Sequence, residues 1–342
     1  YYVAVKVDRE ERPDVDSVYM SACIALNGSG GWPLTVVMTP QQQPFFVSTY
    51  IPRGSGAQPG LLKLLGVIAD KWAHDRAALY KTSGDVCAYL TRSTGAGAVS
   101  APGREFAARA AARLSAAFDA EYGGFGPAPK FPTPQNLIFL MRYAALSGDK
   151  AARAVAEDTL KAMYKGGIFD HFGGGFARYS TDREWLAPHF EKTLCDNALL
   201  AFAYTEAWQS GHMALYRYVA EATLDYCMRE LAAPGGGYFC AQDADSGGEE
   251  GAYYLFTPDE VKKVLSEDAG RHFCECYDIT AEGNFRGKSI PNLLLNTRWN
   301  LLPEGYDDFR EELRMYRGAR MELNTDKKIL TAANGLMLMA LS

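Results

Sequence analysis

The sequence contains no Cys-x-x-Cys pair, no run of basic residues and no apolar stretch near the ~18 residues that a membrane span needs. Each absence removes a class of function. Basic residues number 35 and acidic residues 41, a net charge of −6, which argues against a nucleic-acid footprint or an anionic membrane surface as partner. No signal peptide is visible. The cysteines Cys23, Cys87, Cys195, Cys227, Cys240, Cys274 and Cys276 are scattered and odd in number, which suits reduced thiols and a cytoplasmic location better than a disulfide framework. Cys274 and Cys276 stand two apart in an expected helix and so point away from each other, an arrangement that does not suit zinc. The glycine-rich stretches have no preceding strand and no following Gly-Lys-Ser/Thr, so they do not cradle phosphate. No cofactor and no metal are expected.

What is present divides the chain in two. At 342 residues, 48% of them hydrophobic, it can build more than one core. Residues 1–92 alternate between strand and helix patterns: a strand over Tyr1–Val7, a helix over Val15–Leu26, strands at LTVVMTP and PFFVSTY, and a helix from Pro59 to Trp72. The small, polar stretch STGAGAVSAPG at 93–103 reads as a linker. From 104 to 342 the hydrophobic period becomes 3.6 and stays there. Helices are expected from Arg104 to Phe118, from Pro134 to Ser147 with Thr133 as cap, and from Asp149 to Lys165. Others run from Phe190 to Ser210, from Ala214 to Ala232, after the capping box Thr257-Pro258-Asp259-Glu260, from Tyr306 to Met321, and from Thr331 onward. Between them recur YGGFG, GGIF, GGGF and GGGYF, which suggests repeated helix hairpins whose loops gather on one face.

The chemistry-bearing residues concentrate in GGGFARYSTDREWLAPHFEKTLCDNALL, residues 173–200. Proline suits the first turn of a helix, so Pro188 is expected to open one that continues through the apolar run after Leu194. On that helix His189 and Asp196 share a face with positions 192 and 193, and Glu191 points elsewhere. Taken singly, each acid is equally a helix-start carboxylate and His189 a satisfied rim histidine. A second polar cluster, Asp243, Asp245, Glu249 and Glu250, is a site wall, a plain turn or an incomplete calcium loop. The candidate catalytic set is His189, Glu191, Asp196, Asp243 and Asp245, in which carboxyls with opposed environments divide acid and base roles. Arg178, Tyr179, Trp185, Phe190, Asp326 and Asn334 are the candidate substrate-binding residues, the aromatics as a stacking floor and the last two as rim.

KVDREERPDVDSVYM followed by GGWPLTVVMTP, together with APKFPTP, the 166–200 string, AQDADSGGEEGAYYLFT and DKKILTAANGLM, resembles the family of the spermatogenesis-associated thioredoxin-like protein and its bacterial relatives. The resemblance covers nearly the whole chain. It implies an α/β thioredoxin-like domain with a cis-proline at Pro33, preceded in the family by a Cys-x-x-Cys segment that is absent here. It further implies an all-α (α/α) toroid of helix hairpins, related to N-acylglucosamine 2-epimerases and six-hairpin glycosidases. The first residue is Tyr and the last helix stops at Ser342, so an incomplete thioredoxin-like fold and an open ring are expected. Three departures stand out: Ala177 where the family usually has His, Cys195 where it has Tyr, and Ala332-Ala333 where it has Ser-Trp. The resemblance implies a carbohydrate-modifying or carbohydrate-binding role with a small sugar as partner. A glycosidase would need two carboxyls about 5 or about 6.5–9.5 Å apart, and an epimerase a His beside a carbonyl. The alternatives are a thiol-redox or chaperone-like protein that uses the toroid as a docking platform, and a binding remnant without turnover.

Overall fold

The computed structural model describes residues 2–54, 60–93, 103–301, 303 and 305–342. The linker positions 94–102 and the expected helix start at Pro59 lie outside the described residues. Contacts divide the chain into two units, Tyr1–Ala101 and Pro102–Ser342. No helix among the described residues is long and apolar enough to cross a membrane.

In the first unit, helix α1 (Pro13–Asn27) is followed by the antiparallel pair β1 (Thr35–Met38) and β2 (Pro44–Ser48), then by α2 (Leu61–His74) and α3 (Arg76–Ser93). Pro13 opens α1 at a position where a missing N–H costs nothing, and Gly28 closes it with a left-handed φ of 75°. Ala22, Cys23, Val47 and Val86 form the small core between α1, β2 and α3. The Trp32–Pro33 peptide is cis. Residues 2–7 differ from the expected strand. They carry no regular structure, and Val3 and Val5 are 91% and 76% exposed. Alternation alone does not make a strand: it needs a ladder partner, and among the described residues of this unit only β1 and β2 pair. Native-state hydrogen exchange should find the amides of residues 3–7 almost unprotected while the buried helix α7 of the second unit exchanges near the global limit. Equal protection would contradict this packing.

The second unit is an array of helix hairpins. Its helices are α4 (Arg104–Ala116), α5 (Pro134–Ser147), α6 (Lys150–Lys165), α7 (Leu194–Gly211), α8 (Ala214–Tyr226, running into a π turn at Cys227–Leu231), α9 (Pro258–Leu265), α10 (Glu267–Cys276), α11 (Tyr306–Arg320) and α12 (Thr331–Leu341). Consecutive pairs α5/α6, α7/α8 and α9/α10 pack on each other, and α12 packs on α7. Their ends follow local chemistry. Asp149 accepts the N–H groups of Ala151 and Ala152 at the start of α6, and Thr257 and Glu260 form the full capping box of α9. At α5 the boundary falls at Pro134 but Thr133 makes no side-chain cap, its φ being 41°. The core is centred on Leu137, Leu160, Phe169, Phe176, Leu200, Tyr204 and Phe273.

Between the helices lie short strands: β3 (Tyr179–Ser180), β4 (Pro188–His189), β5 (Lys192–Thr193), β6 (Ala241–Gln242), β7 (Asp245–Ser246), β8 (Glu249–Glu250) and β9 (Thr325–Asp326). β3 pairs antiparallel with β4, Tyr179 opposite His189; β5, β6 and β9 form a three-stranded sheet; β7 pairs with β8, Asp245 opposite Glu250. This is the main correction to the helical reading of 188–193. Pro188 opens a strand, and α7 begins only at Leu194, where the Thr193 hydroxyl accepts the Asp196 N–H.

Candidate functional site

Because 188–193 is extended, its side chains alternate: Pro188, Phe190 and Lys192 are buried, while His189, Glu191 and Thr193 are partly exposed. A period of two therefore puts His189 and Glu191 on one face, where a period of 3.6 would have separated them. The outward face is the site.

His189 Nδ1 lies 2.6 Å from Glu250 Oε1, and its Nε2 lies 3.9 Å from Glu191 Oε2. Arg178 Nη1 donates to Glu191 at 2.5 Å, while the Arg178 backbone N–H donates to the Glu191 carbonyl at 2.8 Å. Side-chain exposure across His189, Arg178, Glu191 and Glu250 runs from 25% to 34%, so the group is reachable from solvent and still held in place. The Tyr179 ring stacks on the His189 ring at 5.1 Å, and Phe131, 49% exposed, lies on Tyr179 at 4.8 Å. Asp196 sits nearby at the start of α7. Burial raises its pKa, opposed by the hydrogen bond from Thr193 and the charge of Arg178. With Nδ1–H directed at a carboxylate, a neutral imidazole leaves Nε2 as a base, the arrangement by which a carboxylate fixes a histidine tautomer.

Glu250 reaches His189 because the next residue is glycine. Gly251 has a φ of 81°, and a Cβ there would stand 2.3 Å from the Phe190 ring. Gly251→Ala should therefore push the β7–β8 arm off Phe190 and cost about 1–3 kcal/mol of stability. Thermal denaturation checks this, and an unchanged melting temperature would contradict the close approach.

The other sequence-derived candidates have different places. Asp243 and Asp245 are exposed; Asp245 stands across the β7–β8 pair from Glu250, and the Asp243 backbone N–H donates to Asn324. Glu250, noted only as part of the acid cluster, is the member that meets the histidine. Trp185 is no stacking floor: it is fully buried, its Nε1 donating to the Tyr122 carbonyl, in space left by Gly124 and Gly166. Phe190 is also core, stacked on Tyr254 at 5.4 Å. Asp326 accepts from Lys328, at 3.2 Å both to its backbone N–H and to its ammonium. Asn334 is structural rather than rim: its amide grips both the N–H and C=O of Tyr238, as Asn197 on α7 grips those of Phe176. Each of these asparagines also donates to the carbonyl four residues earlier, Leu330 and Thr193. Thus the Gly-Gly-aromatic loops at 174–176 and 236–238 are held by the same device.

Sequence reasoning missed what lies beneath the hairpin. Asp170 bonds Lys192 at 2.7 Å and Arg317 through two bonds of 2.9 and 2.5 Å, all three side chains being at most 6% exposed. Burial pushes the Asp170 carboxyl up, and the two cations overcome it, holding it well below the usual carboxylate range. The signal was a lysine at an inward position of an alternating P-H-F-E-K-T segment, which requires a buried counter-ion. Phe131, the exposed end of the ring stack, was missed because it lies about 48 positions before Tyr179, with nothing local to mark the two rings as neighbours.

Known proteins place the chain. The family model Thioredox_DsbH, described as "Protein of unknown function, DUF255", matches residues 1–91. Spermatogenesis-associated protein 20 of Homo sapiens is 39% identical over 98% of the chain and 48% of its own length, and that of Mus musculus 38% over the same shares. The chain is similar to the spermatogenesis-associated thioredoxin-like family. It spans about half the length of the curated relatives it matches, and an uncharacterized Caenorhabditis elegans protein is 31% identical over 99% of it and 52% of its own length. A crystal structure of a sugar epimerase from a ruminal bacterium aligns with 46% of the chain and 45% of its own, at 15% identity and a TM-score of 0.37, a likeness too slight to assign an activity. The family-model match falls on the first unit, and the His189 site lies wholly on the hairpins of the second.

Proposed function

We propose that the helical unit binds a small carbohydrate and that His189 exchanges a proton with it. The observation that carries this reading is an imidazole held at Nδ1 by Glu250, with Glu191 and Arg178 beside Nε2. In this reading Nε2 removes the proton from the carbon beside a sugar carbonyl, the C–H electron pair forms the C=C bond of an enolate as the C=O π pair moves onto oxygen, and return of a proton to that carbon restores the sugar. Glu250 supports the imidazolium formed, and the Arg178–Glu191 pair offers donors and acceptors to ring hydroxyls. The Phe131–Tyr179 stack presents an aromatic edge of the size that apolar sugar faces pack against. Asp196, whose pKa burial raises, stands near Arg178 and Glu191 and is the acid that would return a proton in this reading.

The test is solvent exchange. Reducing hexoses and N-acyl hexosamines incubated with the protein in heavy water should lose the proton signal beside the carbonyl, and His189→Asn should slow that loss by about 10²–10⁴-fold. Absence of both exchange and binding across the panel for the unaltered protein would overturn the proposal.

A further inference from the structure

We infer that two matching Asp–Lys–Arg clamps, one on either flank of the hairpin, are positioning elements that set the register in which His189 meets Glu250. The inference rests on that pair and is independent of which ligand the site takes.

The first observation is an internal repeat in bonding, not merely in sequence. In the loop at 118–125 and the loop at 169–176, Phe118 bridges Phe125 and Phe169 bridges Phe176. Within them Asp119 N–H donates to Gly124 at 2.9 Å and Gly123 N–H to Asp119 at 2.8 Å; Asp170 N–H donates to Gly175 at 3.0 Å and Gly174 N–H to Asp170 at 2.8 Å. Each aspartate also accepts two loop N–H groups, from Glu121 and Tyr122 in one and from Phe172 and Gly173 in the other. A buried lysine closes each loop: Lys130 Nζ reaches Asp119 at 2.6 Å and the Gly123 carbonyl at 2.7 Å, and Lys192 Nζ reaches Asp170 at 2.7 Å and the Gly174 carbonyl at 2.9 Å. An arginine then makes two bonds to each carboxylate, Arg183 to Asp119 and Arg317 to Asp170.

The second observation is where the cations come from. Lys130 exchanges both backbone hydrogen bonds with Ser180, the neighbour of Tyr179. Arg183 lies in the turn between β3 and β4, and Lys192 directly follows Glu191. The hairpin is therefore pinned before, within and after the residues that carry the site. A slip of one residue in 188–193 would turn His189 and Glu191 inward and bring Lys192 out. Both clamps oppose that slip, because it would strand a buried aspartate. Fixing register is the best-attested use of buried ionic groups.

Two variants each remove one cation and leave the aspartate a partner: Arg183→Gln, at a half-exposed side chain, and Lys192→Met. The readout is the change that Glu250→Gln makes in the ring ¹⁵N signals of His189. We expect a clear change in the unaltered background and one severalfold smaller in the two variant backgrounds. An undiminished change in a folded variant, whatever its loss of stability, would overturn the inference. A measurement on the unaltered protein decides the matter should a variant fail to fold. Amides of Arg178, Ser180 and Thr181 should exchange together with those of the clamp loops, and exchange by small independent openings would contradict the role. Neither experiment involves a sugar, so failure of the proposed activity leaves this result standing.

Discussion

Asp170→Ala should lower the unfolding free energy by about 3–5 kcal/mol, because it strands two buried cations at once. Lys192 and Arg317 are 2% and 4% exposed, so neither can recover water without opening the loop at 169–176. Lys192→Met should cost less, since Arg317 keeps two bonds to the remaining carboxylate. Asp119→Ala should also cost less than Asp170→Ala, because the Arg183 side chain is already 50% exposed and rehydrates when released. Urea titrations with an unchanged slope would measure the three differences. A loss below about 1 kcal/mol for Asp170→Ala would contradict the burial of a closed ion set.

Acid should unfold the helical unit in two stages, and His171 should dominate the first. Its ring is 3% exposed, enclosed by Tyr164, Phe169 and Tyr277, and burial drives its pKa down to about 3. A hydrogen bond with the Gly166 carbonyl and the charge of Asp170 act the other way, and Arg310 adds to the depression. The folded value lies below the ordinary 6.5, so the unfolded chain binds more protons between about pH 6.5 and 3, and stability falls as pH falls through that window. At about 1.4 kcal/mol per pH unit, roughly 3 kcal/mol should disappear between pH 6 and 4. Asp170 and Asp119 act below that. In both, burial raises the carboxyl and the cation partners more than reverse it, so their contribution is complete above the unfolded value near 4 and is lost below it. Urea midpoints measured against pH should fall in this order. His171→Phe, which suits the aromatic box, should flatten the upper stage alone; an unchanged profile would contradict the assignment.

The fold was legible wherever local chemistry decides it. Asp149 and the Thr257–Glu260 box mark helix starts, the Gly-Gly-aromatic loops announced repeated hairpins, and α1, expected from Val15, begins two residues earlier at Pro13. The site was legible in its members and not in its geometry. Proline at 188 before an apolar run reads as a helix start, and the alternation of Pro188, His189, Phe190 and Glu191 is only two periods long before a lysine breaks it. What turns 188–193 into a strand is distant: β6 pairs with β5, and Arg317 reaches Asp170 across 147 positions. Trp185 shows the same limit. Its place in the core depends on Gly124, where a Cβ would stand 2.5 Å from the indole, and on Gly166. No pattern around Trp185 itself distinguishes a buried indole from an exposed one. Glu250 was separable from its acidic neighbours only through Gly251, which lets the chain close on Phe190.

The most direct measurement is ring-¹⁵N NMR of the histidines in the unaltered protein and in Glu250→Gln. We expect His189 to show a hydrogen-bonded Nδ1, and the substitution to move its signals while the buried His171 ring stays where it was. A His189 ring indifferent to residue 250 would mean that the two side chains do not meet, and the site built on them would not exist.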